Sequence, residues 1–245
     1  MKLKEFKSFV KYADDLLTYQ KRISNLTGLD AMYITKNKCI VTENYHILIA
    51  DVDCLFKDNV KLSVKDVHSL ANELSGVCKE ELNNEISLDI KEFQLQITST
   101  DGSYTYVSLP CRTVLDVAIS HLTLLLGHIN DSEFVPVLVL NNKELCKQID
   151  LRKDSIVDIL LSENTVESYI VSDNDIQRKC EFGINVVNNS LVNNIGIRPH
   201  IFKKLFKDSD ELTINYSERL RLFKLCNEST TLYSVNWYKS TTHRL

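Results

Sequence analysis

Lys61–Gly76, KLSVKDVHSLANELSG, reads as a short strand running into a helix. Three alternating strands follow it: Glu85–Ile90 (EISLDI), Glu92–Ile97 (EFQLQI) and Ser103–Leu109 (SYTYVSL). The series returns later in the chain. Asn194–Phe206 (NIGIRPHIFKKLF) is again strand then helix, and Glu211–Tyr216 (ELTINY), Arg219–Leu225 (RLRLFKL) and Thr231–Tyr238 (TLYSVNWY) are again three strands. Upstream of each copy lie matching β-rich stretches, Ala31–Asn37 with Cys39–Val52 in the first half and Ser155–Glu163 with Glu167–Asp175 in the second. A helix-like segment precedes each of them. This order, written twice, marks an internal duplication of roughly 110 to 130 residues, carried by element order and apolar placement rather than by residue identity.

The patterns of the individual segments agree with that reading. Leu3–Ile23 places Phe6, Phe9, Val10, Ala13, Leu16 and Leu17 on one helical stripe. Asp66 is the expected cap of a helix reaching Leu74, with Val67, Leu70 and Leu74 on one face. Ile86, Leu88 and Ile90 alternate with polar neighbours, as do Phe93, Leu95 and Ile97, and Asp101-Gly102 is a hairpin turn. Pro199 suits the first turn of a helix through Phe206. Half-buried antiparallel strands beside helices give an α+β fold rather than a doubly wound α/β one. The expected domains are 1–110 and 137–245, with 111–136 as the connector. Within it Val114–Ile129, VLDVAISHLTLLLGHI, fits either a helix or two strands.

Composition narrows the class. With 44% apolar and 25% charged residues the 245-residue chain is an ordinary folded one, long enough for two cores. A net charge of −4 argues against a nucleic-acid binder held by overall charge, but leaves room for a local basic surface. The seven cysteines are odd in number, widely spaced and without a CxxC, which fits a reducing compartment. MKLKEFKSFVKYADD is an amphipathic charged helix without the apolar core of a signal peptide, and no apolar run of about 18 residues occurs. The expectation is a soluble protein of the cytoplasm of a bacterial or phage-infected cell, or of the nucleus if eukaryotic. Its Asn, Ile and Lys content points to an AT-rich, phage or viral genome.

No Walker, Rossmann, zincin or nucleophile-elbow signature occurs, so neither enzyme nor cofactor is expected. His121 and His128 lie seven apart, but the pair is more simply surface or packing than metal ligation. Asp51 with Asp53, and Asp173 with Asp175, close strands at comparable places and read as solvated strand ends. The cations are more informative. Lys4, Lys7 and Lys11 fall on the first helix, Lys143 and Lys147 on a short helix after Asn141, and Arg198, Lys203, Lys204 and Lys207 on or before the helix after Pro199. Such runs are commonly just solvated faces. Together they could also form one surface that meets phosphates, which asks for charge without base-reading geometry.

In its order of elements the chain resembles the DNA sliding clamps, of the proliferating-cell-nuclear-antigen type and the shorter phage type. LSVKDVHSLANELSG with EISLDI, FQLQI and SYTYVSLP is similar to the second half of a clamp domain. IGIRPHIFKKLF with ELTINY, RLRLF and LYSVNWY is similar to the last half-domain. The resemblance implies two clamp-like domains, each with antiparallel sheets and two helices on one face. It implies a homotrimeric ring around duplex DNA, with the lysines named above and Arg198 facing the duplex, and without catalysis. It implies docking of a polymerase and a clamp loader by short peptides beneath the connector, at Leu122, Leu124, Leu126, Val235 and Trp237. Val114–Ile129 departs from the family by being more apolar and helix-like than a connector. The alternative is a duplicated β-rich structural or assembly protein, such as a virion component, with no DNA-facing surface.

Overall fold

The computed structural model describes residues 1–21, 30–35, 37–43, 45–52, 59–91, 94–110, 112–113, 117–162, 165–172, 174, 176–227 and 230–236. The chain divides into two compact units, Met1–His128 with Glu228–Leu232, and Ile129–Asn227 with Tyr233–Leu245.

The first unit opens with α1 (Leu3–Lys21), whose stripe of Leu3, Phe6, Phe9, Val10, Ala13, Leu16 and Leu17 is buried throughout. Burying each large apolar side chain is worth about 1.5–3 kcal/mol, so this stripe anchors the helix. Strands β1 (Ala31–Thr35), β2 (Lys38–Glu43), β3 (His46–Asp51) and β4 (Val60–Leu62) follow. Then come α2 (Val64–Ser75) and a 3-10 turn at Lys79–Asn83, with β5 (Ile86–Lys91), β6 (Gln94–Ser99), β7 (Thr105–Pro110) and β8 (Arg112–Thr113) after them. The cap of α2 is Ser63, three residues before the expected Asp66. Asp66 instead completes a capping box, its carboxylate accepting from the Ser63 N–H at 2.8 Å. Val67, Leu70 and Leu74 are the buried residues of that helix. The Asp101-Gly102 hairpin forms, with Gly102 at φ 71°, where a side chain would be strained. The stretch left open between helix and strands contains a helix, α3 (Val117–Asn130).

The second unit contains β9 (Val135–Asn141), α4 (Asn142–Gln148), β10 (Asp154–Leu161), β11 (Val166–Ser172), β12 (Gln177–Lys179), β13 (Ile184–Val186) and β14 (Asn194–Ile197). A short π-helical turn at Ile201–Leu205 follows, then β15 (Glu211–Ser217) and β16 (Leu222–Cys226); the last strand, β17 (Thr230–Val235), is divided, its first three residues counting with the first unit. Arg219–Arg221, expected in a strand, are loop instead. Ser217 pairs with Leu222, and Arg221 takes φ 56° to close the reversal.

Element order and pairing repeat. In the first unit the strands run β3-β2-β1-β4, and in the second β12-β11-β10-β14. Each time, the first strand after the leading helix is flanked by its hairpin partner and by the strand that enters the next helix. The set β5-β6-β7 matches β15-β16-β17. Even the leading strand has a counterpart. Where β9 pairs with β15, Lys2 bridges Glu85 beside β5, and Ile86 N–H donates to Met1 O at 3.0 Å. The edge of β14 is treated similarly by a side chain. Asn236 Oδ1 accepts from Gly196 N–H at 2.8 Å, and its Nδ2 donates to Asn194 O at 2.7 Å.

Two buried polar residues test this packing. Asn142 is fully buried and donates Nδ2 to Phe206 O at 2.6 Å and to Ser209 O at 3.0 Å, tying α4 to the end of the π-helical turn. Asn142→Leu leaves those carbonyls unpaired and is expected to cost about 2 kcal/mol, read by urea unfolding. Asp158, on β10, is 1% exposed, and its Oδ1 has no hydrogen-bond partner. Burial pushes its carboxyl from 3.8 up to about 6. An acid with a raised folded-state pKa supports the fold while protonated, and that support is lost as pH rises from about 4 through about 6. Asp158→Asn is therefore expected to be more stable than the natural chain at neutral pH, by about 2 kcal/mol, with the difference vanishing near pH 4. Equal stability of the two at both pH values would contradict it.

Candidate nucleic-acid interface

The lysines of α1 owe their common direction to helix geometry. At about 100° per residue, Lys4, Lys7 and Lys11 project within about 60° of one another and opposite the buried stripe. Lys4 and Lys11 are exposed; Lys7 is half-buried and donates Nζ to Ser75 O at 3.3 Å, at the carbonyl end of α2. That contact suits a cation, because the helix C-terminus carries partial negative charge. Asp14 and Asp15 follow on the same helix, and Asp14 pairs with His68 of α2 at 3.1 Å. The positive stripe is thus confined to the first half of α1.

In the second unit α4 packs against the π-helical turn through Asn142. Lys143 and Lys147 are exposed on α4, Lys204 and Lys207 are exposed, and Lys203 is half-buried. Lys203 lies close enough to α4 and its following turn for its charge to act on Cys146 and Asp150. The Arg152 N–H donating to the Asp150 carboxylate, aided by the charges of Lys153, Arg152 and Lys203, holds that acid below the usual carboxylate range. Lys143 faces Asp210 at 3.3 Å with both side chains well exposed, so the pair is weak and leaves the cation available. Arg198 differs from the other named cations: it is buried, at 7% exposure, just after the end of β14. It belongs to the packing of the unit and not to a solvent-facing set.

The residues named for peptide docking are less coherent. Leu122, Leu124 and Leu126 all lie on α3, where a two-residue step turns the chain by about 200°. Leu122 is accordingly buried at 6% exposure, whereas Leu124 is exposed at 62%, so the three do not form one wall. Leu126 and Val235 are half-buried. Trp237 lies outside the described residues, as do Asp53, Asp173 and Asp175. Among the described residues no group of His, Cys, Asp and Glu is arranged to hold a metal ion, and no helix is long and apolar enough to cross a membrane. The residues that position the lysines, Asn142 above all, were not singled out from sequence. The one local signal was an asparagine pair at the start of a helix.

No protein-family model and no curated protein matches the sequence. Solved structures do match its fold. The DNA polymerase sliding clamp from Caulobacter crescentus aligns with a TM-score of 0.62 at 8% identity, over 98% of this chain and 65% of that one. The beta subunit from DNA polymerase of Streptococcus pyogenes aligns with a TM-score of 0.57 at 13% identity, with the same coverage of 98% and 65%. A sliding clamp from Bartonella birtlesii, DNA polymerase III subunit beta, gives 0.58 at 13% identity, again over 98% and 65%. The chain therefore spans about 65% of the length of these clamps. At such low identity the likeness is one of fold. The fold of this chain, two units of helices and antiparallel sheet in succession, is that of the DNA sliding clamps it aligns with.

Proposed function

We propose that this protein is a non-enzymatic sliding clamp, which encircles duplex DNA as a closed ring of identical copies and tethers a polymerase. The observation that supports it best is the clamp-fold likeness over 98% of the chain. The lysines on α1, α4 and the π-helical turn agree with it. A ring is retained on duplex DNA by topology, so its contacts with phosphate can be few, exposed and sequence-independent, which permits sliding. The proposed assembly is a homotrimer, loaded by a clamp loader and working where replicating DNA is found, in the cytoplasm of a bacterial or phage-infected cell. Polymerase and loader are proposed to dock by short apolar peptides. Leu124 is the exposed anchor of choice.

Lys203, Lys204 and Lys207 test the DNA-facing role, since the first is half-buried at the rim of the turn and the other two are exposed. Changing all three to Glu is expected to reduce retention on circular duplex DNA at least about tenfold, irrespective of base sequence, with the deficit shrinking at high salt. Circular dichroism should be unchanged. Undiminished retention would remove these residues from the interface. A protein that neither assembles nor is retained on circular DNA would favour the structural-protein reading.

A further inference from the structure

The helical stripe that carries Lys4, Lys7 and Lys11 does not end at Lys11. At about 100° per residue Asp14 projects within about 80° of each of the three, so a carboxylate stands in line with the cations. Two contacts join this stripe to α2. Lys7 Nζ donates to Ser75 O at 3.3 Å, and Asp14, seven residues on, meets His68, seven residues back. The two helices therefore lie antiparallel. Lys65 and Asn72 flank His68 at helical spacing, and all three are exposed. The surface belongs to both helices, although Lys65 is the only lysine of α2.

His68 Nδ1 sits 3.2 and 3.1 Å from the two carboxylate oxygens of Asp14. Thr18 Oγ1 donates to one of those oxygens at 3.4 Å. The His68 side chain is 61% exposed and that of Asp14 19%. An ionised carboxylate only accepts, so the proton of the contact is on Nδ1. In the neutral ring Nε2 is then an acceptor, and it has no partner among the described residues. Phosphate oxygens also only accept. A neutral His68 thus has no donor for a phosphate, whereas the imidazolium offers Nε2–H.

His68 is the only histidine on either helix. The other charged groups facing this pair are Lys7, Lys11 and Asp15 of α1, with Lys65 and Glu73 of α2; Asp66 is held in the capping box. Of the strands packed against α2, β1 and β7 contribute only Tyr33 and Tyr106 as titratable groups, and Lys61 of β4 lies over the Tyr33 ring at 5.6 Å. On β2, packed against α1, Lys38 faces Asp51 and Glu43 faces His46. The 3-10 turn with Lys79, Glu80 and Glu81 meets α1 at its opposite end, beside Leu3.

We propose that His68 is a phosphate contact contributed by α2, positioned by Asp14, and that making the contact takes up one proton. The proposal rests on the DNA-encircling reading above and adds a contact of a kind that lysines do not give, one whose strength follows pH. Because the DNA-bound state carries one more proton, the contact strengthens as pH falls through the range where histidine changes charge, about pH 5 to 8. Once the ring is neutral, the Asp14 carboxylate is left in line with the lysines and opposes phosphate.

The test is retention of the full chain on circular duplex DNA at fixed ionic strength, measured from pH 6 to pH 8. Retention of the natural chain should be at least about fivefold greater at pH 6, with a salt dependence steeper by about one counterion. His68→Gln should match the natural chain at pH 8 and lack the gain at pH 6. Asp14→Ala should shrink the gain below about twofold, because the ring is no longer held at Nδ1. Lys11→Gln should lower retention by the same factor at both pH values. Circular dichroism should be unchanged in all three. A natural chain retained equally at pH 6 and pH 8, or a His68→Gln variant that keeps the full gain, overturns the proton-linked contact while the ring reading stands. An undiminished gain in Asp14→Ala overturns the positioning role. A natural chain that is retained at neither pH overturns the ring reading and this contact together.

Discussion

Main-chain N–H and C=O groups must find partners, and that constraint organises this molecule at every level. A buried unpaired peptide group costs about 1–3 kcal/mol, comparable to a sizeable part of a domain's net stability. The chain meets the cost with unrelated devices at equivalent places. A full strand, β9, lies beside β15, whereas Met1 and Lys2 lie beside β5. The amide of Asn236 imitates a strand along β14. Asn142 and Asn227 serve the carbonyls at the end of the π-helical turn.

The duplication explains why so little sequence identity carries so much structural likeness. What recurs is the set of positions that must be apolar for a sheet and a pair of helical segments to share a core. The copies have diverged most in their helices. The 19 residues of α1 correspond to seven in α4, and the 12 of α2 to five in the π-helical turn. Shortening those elements packs the cations of the second unit into fewer turns. Lys203 consequently influences Asp150 and Cys146 across the gap between two elements that are distant in sequence.

An overall charge of −4 coexists with these basic patches because electrostatic reach in salt is short. At physiological ionic strength exposed charges are screened beyond about 8 Å, so a phosphate responds to the nearest lysines and not to the total. A surface built of exposed, weakly paired lysines holds a polyanion loosely. That is the property the proposed sliding role asks for.

Much of this architecture is legible in the sequence, because it follows from local periodicity. The stripe of α1, the alternation around Leu95 and Ile97, the turn at Asp101-Gly102 and the repeated order of elements all depend on residues close together in the chain. The serine that caps α2 was also within reach, since the spacing Ser63 to Asp66 is that of a capping box. Other features depend on contacts between residues far apart, and no local pattern encodes them. Arg198 reads like any other cation beside a lysine-rich helix, yet its place after β14 buries it. Asn236 looks like an ordinary polar residue near the end of the chain until the strand it covers is beside it. Leu122, Leu124 and Leu126 are one apolar run in sequence, and only their folding as a helix turns Leu124 away from the other two. Local patterning thus determined which segments became helices and strands. Tertiary structure alone decided which side chains face solvent and what covers a strand edge such as that of β14, because both depend on what packs against them from elsewhere in the chain.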